Sequence, residues 1–290
     1  MIDLHTHIWD VDAHLNDGFR RAIGESFRAT ASGVQMEGGA PRCPPAGPDL
    51  HWAACQRAER TVVVAFDMPN AGAVVPNQYV ADYVATHPER LVGFASVDPQ
   101  RPDALEILRW SHENLGLRGL KLSSTYAGFH PHDPRAYDLY RYCEQHALPI
   151  LVHQGATIVR EAPLAFADPV LLEQVAYDFP NLVIIVAHVG FPWAASCVVL
   201  MRKQPNVFAD LSALCYRPWQ LYDTLVKAME GRVTDKLFFG TDWPFTTIDQ
   251  SVDGLRHVTR MTRGTGFPVI PEALVDDIIE RDPFPAIGLA

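Results

Sequence analysis

Two histidines stand two residues apart near the start of the chain, His5 and His7. Residues i and i+2 of a strand face the same side, so a strand here aims both imidazoles into one interior. Asp3 shares their parity and stands below them as support. His153 and His188 end the apolar runs Pro-Ile-Leu-Val-His and Val-Ile-Ile-Val-Ala-His, and each is followed by one residue and then a glycine, Gly155 and Gly190. Asp242 ends Leu-Phe-Phe-Gly-Thr-Asp, ahead of Trp243 and Pro244. Lys121 lies inside Gly-Leu-Lys-Leu, where burying an unpaired ammonium costs on the order of several kcal/mol. Imidazoles with a carboxylate are a donor set for a divalent metal, zinc first, with manganese or cobalt as alternatives. Singly, each residue has a plainer reading: a surface histidine pair, a satisfied core histidine, a capping aspartate. Lys121 has two plain readings, snorkelling to the barrel mouth or pairing with Asp242 or Asp67, and two functional ones, binding a substrate carboxylate or carrying a carbamate between two metals. Recurrence at the ends of apolar runs favours chemistry.

Those runs are the elements that must position the residues. Eight stand out, at 2–4, 61–66, 91–97, 117–122, 149–152, 182–187, 207–211 and 237–239. Most are continuous rather than alternating, as parallel strands covered by helices are. Helical patterns over 77–86, 103–114, 134–146, 168–179, 193–203, 218–229, 249–262 and 271–279 fall between and after them. Asp168 is placed to cap the fourth, with Pro169 at its first position. Strands alternating with helices predict a single α/β domain over 1–290, a (β/α)8 TIM barrel. An open doubly wound sheet is the alternative, but it concentrates its site at one switch point, whereas the polar residues here recur around the whole set. Residues 8–60 break the rhythm. They form a long insertion after strand 1, rich in Gly and Pro over 32–48, expected to leave the barrel mouth as a lid and return as a helix over 49–59.

The chain has 290 residues, is 48% hydrophobic and carries a net charge of −10. That length supports a large core, and that charge argues against non-specific nucleic-acid binding. Five cysteines with no C-x-x-C spacing read as reduced thiols of a cytoplasmic protein. The first residues lack a signal-peptide pattern. The uncharged stretch 182–201 is long enough to span a membrane, but its His188, Gly190 and Pro192 read instead as strand, turn and helix start. No membrane or nucleic-acid partner is expected.

The set His5-x-His7, Lys121, His153, His188 and Asp242, with the phrases HPERLVGFASVDP, GLRGLKL, LVHQG, AHVG and FGTDWP, resembles the amidohydrolase superfamily, in its amidohydrolase-related branch. The resemblance covers nearly the whole chain, with these residues on strands 1, 4, 5, 6 and 8. It implies a metal-dependent barrel enzyme in which His5, His7, His153 and Asp242 hold one divalent metal. His188 is then a further ligand or the acid/base beside it, and Lys121 marks where binuclear members carry a carboxylated lysine. One metal is preferred over two. Catalytic roles fall to Asp242 and His188: Asp242 accepts a proton from the metal-activated water, and His188 polarises a carbonyl or passes a proton. The first functional reading is a hydrolase of an ester, lactone or amide. The alternative is a non-oxidative decarboxylase of an aromatic or unsaturated acid, and a non-catalytic binding barrel comes last. Substrate-binding candidates at the mouth are Arg217, Trp9, Tyr126 and Trp193, with Arg217 the natural grip for an anion. Asp67, Asn70, His130, His132, Tyr216 and Phe245 also follow strand ends. His14, His51, His87, His112, His146 and His257 are expected at the surface. The partner is a small molecule, and a homodimer is anticipated by analogy.

Overall fold

The computed structural model describes residues 1–30 and 43–289. Eight parallel strands form one sheet in sequential order: β1 (Ile2–His7), β2 (Arg60–Val64), β3 (Leu91–Ser96), β4 (Leu120–Leu122), β5 (Ile150–Val152), β6 (Ile184–Val186), β7 (Val207–Asp210) and β8 (Leu237–Phe238). The sheet closes on itself. Leu4 N donates to Phe239 O at 3.1 Å, Asp242 N to His5 O at 2.8 Å and His7 N to Trp243 O at 2.9 Å. Every residue of β1, β4, β5, β6 and β8 is buried, because the strands meet the barrel interior on one face and helices on the other. This is the expected (β/α)8 barrel, and closure brings the strand ends to one mouth.

The helices follow the predicted pattern within a few residues: Asn77–Val84, Ala104–Glu113, Pro134–Gln145, Glu173–Asp178, Ala194–Lys203, Pro218–Gly231, Ile248–Val258 and Glu272–Glu280. Asp168 caps as expected, accepting from Val170 N, but the first turn is a short 3-10 piece, Pro169–Leu172. The stretch 182–201 resolves into β6, a turn and a helix, and among the described residues no helix is long and apolar enough to cross a membrane. The five cysteines are free and buried.

The described part of the insertion after β1 carries the helices Val11–His14, Asp17–Thr30 and Pro48–Ala54, joined by non-helical chain. Most of the Gly/Pro-rich segment expected as a lid, residues 31–42, lies outside the described residues. Its return limb is stitched to the barrel mouth. Trp9 N donates to Ala46 O at 2.8 Å and Trp9 Nε1 to Pro44 O at 3.0 Å. A two-stranded antiparallel ribbon, Phe66–Met68 with Ala73–Val75, follows β2 and was not foreseen. The apolar run 61–66 is therefore two elements: the ladder with β3 ends at Val64, Ala65 N makes a last bond to Phe94 O at 3.1 Å, and the ribbon starts at Phe66.

Candidate metal centre and pocket

His5 and His7 lie on β1, and their rings sit 4.9 Å apart inside the mouth. Lys121 is the middle residue of β4, and His153 directly follows β5, with its N–H on Leu122 O at 2.8 Å. His188 sits in a tight turn after β6, where His188, Val189 and Gly190 all have left-handed backbones, φ 57°, 49° and 65°. Gly190 is required there: a Cβ would come within 2.0 Å of Pro169 Cγ. Asp242, beyond β8, also has a left-handed backbone, φ 60°. Such conformations cost about 1–3 kcal/mol for residues other than glycine and cluster at functional sites.

The hydrogen bonds fix which atoms face the centre. His5 Nδ1 meets Asp210 Oδ2 at 3.1 Å and Ser212 Oγ at 3.0 Å, so Nε2 is left to point inward. There it lies 2.9 Å from Lys121 Nζ and 3.7 Å from Asp242 Oδ1. His188 Nδ1 donates to Ser212, 3.0 Å from its carbonyl oxygen and 2.8 Å from Oγ, again leaving Nε2. His7 Nε2 lies 2.9 Å from Asp242 Oδ1. Asp210, fully buried at the end of β7, is the hub beneath them: its oxygens face His5 Nδ1, His188 N, Ser212 N and the Ser212 hydroxyl.

Among the described residues, ligand atoms of His5, His188 and Asp242 lie within 4.8 Å of one another. His7 touches this group through Asp242, and His153 stands beside it, 5.3 Å from His188 between ring centres. Two buried nitrogens, His7 Nδ1 and His153 Nε2, have no hydrogen-bond partner, although buried polar atoms ordinarily find one. Burial first, and then the neighbouring Lys121 charge, hold the His5 and His7 imidazoles well below the usual range, and His153 at about 3. Burial likewise depresses His188. Neutral imidazoles next to a carboxylate are the protonation state that metal ligation requires, and the outer contacts to Asp210 and Ser212 are those that orient ligating histidines. The residues therefore fit one divalent ion. Lys121 competes with it, since its ammonium uses the His5 Nε2 lone pair; burial brings that amine down to about 8 against the pull of Asp210 and Asp242. Burial also raises the Asp242 carboxyl, opposed by Lys121.

Above the centre opens a cavity of about 160 Å³. Trp9, Phe66 and Phe245 form one wall, with ring centres of Trp9 6.4 Å from Phe66 and 6.3 Å from Phe245. Tyr126, packed on His153 at 4.7 Å, and Phe191 with Tyr216 line the rest. Phe19 and Ile23, from the helix Asp17–Thr30, reach in from the insertion. Arg217 is held between the rings of Phe191 (4.7 Å) and Tyr216 (4.4 Å) and donates to Ala213 O. Ser123, just after β4, lines the cavity with a buried hydroxyl that has no partner.

His5, His7, Lys121, His153, His188 and Asp242 thus converge, and Arg217, Trp9, Tyr126, Tyr216 and Phe245 line the same cavity. Trp193, Asp67, Asn70, His130 and His132 are not in its lining. Asp67 instead serves the loops after β2 and β3, accepting from Asp98 N at 2.9 Å, and Asn70 donates to Ala127 O at 3.0 Å. Of the histidines expected at the surface, His51 is fully buried. Its Nε2 lies 2.9 Å from Thr6 Oγ1 and its Nδ1 2.7 Å from Tyr83 OH, which satisfies both polar ends. Asp3 supports the loop before Asp242 rather than a side chain of the centre, accepting from Thr241 N and Oγ1; burial pushes it up to about 7 against those bonds. Asp210 and Ser212 were missed. The signal was present, since an aspartate inside the apolar run 207–211 is as costly as a lysine inside 117–122.

No curated protein matches the chain. Solved structures do. An uncharacterized TIM-barrel protein from Bordetella bronchiseptica is 18% identical over 97% of this chain and 95% of its own, with a TM-score of 0.73. A probable 2-pyrone-4,6-dicarboxylic acid hydrolase from Acinetobacter baumannii, with citric acid bound, is 14% identical over 99% and 98%, with a TM-score of 0.65. A dihydroxybenzoic acid decarboxylase from Polaromonas, with manganese and the inhibitor 2-nitroresorcinol bound, is 16% identical over 99% and 96%, with a TM-score of 0.63. At these identities the likeness establishes the shared barrel. The amidohydrolase family model matches residues 2–280, nearly the full length of a barrel whose strand ends gather histidines, a lysine and an aspartate, and the chain belongs to that family.

Proposed function

We propose that the protein is a metal-dependent decarboxylase of a planar, unsaturated carboxylic acid. The observation that carries this reading is the cavity itself: aromatic walls, a floor of buried His and Asp side chains, and Arg217 near the mouth. A flat anionic ring suits such walls. The Polaromonas decarboxylase, on the same barrel with manganese bound, supports the reaction class.

His5, His188 and Asp242 would hold the divalent ion, with His7 and His153 as further donors and manganese at least as good a candidate as zinc. When bound, the ion supplies positive charge that stabilises an oxyanion of the substrate. The remaining work falls to the chain's own groups. Trp9, Phe66 and Phe245 orient the ring and exclude water. Arg217 fixes an anionic substituent. Asp242, facing the cavity beside His7, passes a proton to the ring carbon as its bond to the carboxylate breaks. The bonding pair stays on that carbon, CO₂ leaves, and Asp242 regains its proton from solvent. Hydrolysis of a lactone or ester is the second reading, and Lys121 favours it: an ammonium on the cavity floor would stabilise the oxyanion of an attacked carbonyl.

The test is a panel of hydroxybenzoates and lactones given to the metal-loaded protein, with CO₂ release and acid release measured separately. CO₂ from a benzoate, and a loss of about 100-fold or more in kcat in Asp242→Asn, are expected. Lactone opening without CO₂ would replace the decarboxylase by the hydrolase.

A further inference from the structure

Ser123 carries a hydroxyl that the fold does not use. The residue is 5% exposed, and among the described residues nothing bonds its Oγ. Its two successors differ. Ser124 Oγ donates to Gln154 Oε1 at 3.1 Å, and Thr125 Oγ1 to Gly155 O at 3.5 Å. Ser123 also stands at the N-cap of the short helix Ser124–Ala127, where a serine ordinarily accepts from an N–H of the first turn, yet its side chain makes no capping bond. Neither the loop after β5 nor the helix start claims this hydroxyl, although buried polar groups ordinarily find a partner.

The strand decides where it points. Lys121 faces the barrel interior, with Nζ 2.9 Å from His5 Nε2. Ser123 is two residues on, next to the end of β4, so it shares that face and stands one step nearer the mouth. There it lines the cavity. The eight strands run in sequential order round the barrel, which sets β4 opposite β8. Ser123 and Asp242, each beyond the end of its strand, therefore bound opposite sides of the mouth.

A ligand that fills the cavity shuts water away from the Ser123 oxygen and must bond it or leave it bare. A methyl group in that place leaves it bare, which costs more than the bond itself contributes. A carboxylate there would be desolvated against a single neutral donor, which offsets little of the cost. A neutral hydroxyl, carbonyl or ether oxygen satisfies both sides. Such a contact discriminates sharply, because a site built to hydrogen-bond a substrate group penalises the analogue that lacks it.

We infer that Ser123 is a specificity-determining residue, whose hydroxyl donates a hydrogen bond to a neutral oxygen substituent on the side of the substrate away from Asp242. Only the meeting of the substrate's carboxylate with the His/Asp centre is taken from the decarboxylase reading.

Calorimetry on metal-loaded protein tests this with meta- and para-hydroxybenzoate, each paired with the methylbenzoate of the same pattern, for wild type, Ser123→Ala and Ser123→Cys. Hydroxyl and methyl are close in size, so each pair separates bonding from fit, and the comparison with the variants cancels the desolvation of the ligand. In both variants the ratio of hydroxy to methyl affinity should fall about 3–10-fold for at least one pair, the range of one neutral hydrogen bond. Neither variant should lower the urea midpoint, since no bond within the protein is removed; two replacements guard against a folding defect in one. A ratio that stays at its wild-type value in either folded variant, or a wild type that binds none of the four acids, overturns the inference. A lowered midpoint with an unchanged ratio makes Ser123 a structural residue. A ratio that falls as expected in a protein that releases no CO₂ from any acid leaves the Ser123 site standing and removes the decarboxylase reading; CO₂ release with an unchanged ratio does the reverse.

Discussion

Asp210 decides how the histidines present themselves. Facing His5 Nδ1 and accepting from His188 N and Ser212, it fixes the His5 tautomer directly and the His188 tautomer through Ser212. An asparagine keeps the shape but must turn an NH₂ toward one of these donors. Asp210→Asn should therefore weaken Mn²⁺ binding by about 10–100-fold, the usual effect of removing an outer partner of a ligating histidine, with little change in unfolding midpoint. A metal titration followed by competition with a chromogenic chelator checks this. Equal affinity in the variant would mean that Asp210 is a core residue only. Asp210 also shows what was legible at this scale. A charged residue inside an apolar run is visible in sequence, as Lys121 is, but the carboxylate of Asp210 at the end of β7 reaches His5 on β1 only through the curvature of the barrel.

At the scale of elements, the turn after β6 and the helix Pro48–Ala54 do the positioning. Gly190 has φ 65° and no room for a Cβ against Pro169. Gly190→Ala should destabilise the fold by about 1–3 kcal/mol and displace His188, read as a lower urea midpoint together with weaker metal binding. His51 ties its helix to β1 at Thr6, between His5 and His7, and packs edge-on against Trp243, next to Asp242. Thr6 Oγ1 already donates to Val62 O at 2.7 Å, so His51 Nε2 must be the donor to it and Nδ1 the acceptor from Tyr83. That arrangement needs a neutral ring, and burial first, then the neighbouring His7 imidazole, hold His51 at about 3. The folded value lies below the unfolded one, so between about pH 6.5 and pH 3 the unfolded chain binds a proton that the native state refuses. Stability is complete above the upper limit and is lost as pH falls through this window, by about 1.4 kcal/mol per pH unit for this group. Denaturant unfolding of His51→Gln at a series of pH values should show a shallower acid limb than wild type. Identical limbs would show that His51 titrates normally in the folded protein.

For the whole molecule, the centre is made of residues from both ends of the chain, so a ligand held there favours the native state alone. At a free ion concentration about 100 times its Kd, one bound metal adds about 2.7 kcal/mol. Thermal unfolding with and without chelator should then differ by about 5–10 °C, and the Asp210→Asn difference should be smaller. No shift with chelator in the wild type would mean that no ion is bound, and the single-metal reading would fall.

Local pattern alone determined the barrel, because continuous β-branched runs alternating with helical periods leave few other packings. It also picked out the polar residues that converge at the mouth, because histidine, lysine and aspartate are costly inside apolar strands and therefore conspicuous there. The tertiary structure decided what depends on distance between strands. It brought His188 within 4.8 Å of His5 and Asp242 by their donor atoms and left Trp193 outside the cavity lining. It revealed Asp210 and Ser212 as the hub below His5, buried His51 against β1, and clamped Arg217 between two rings. Most of those relations join residues dozens to hundreds of positions apart, and no periodicity along a chain encodes them. They exist only once β8 has closed onto β1 and the turns have chosen which nitrogen of each ring looks inward.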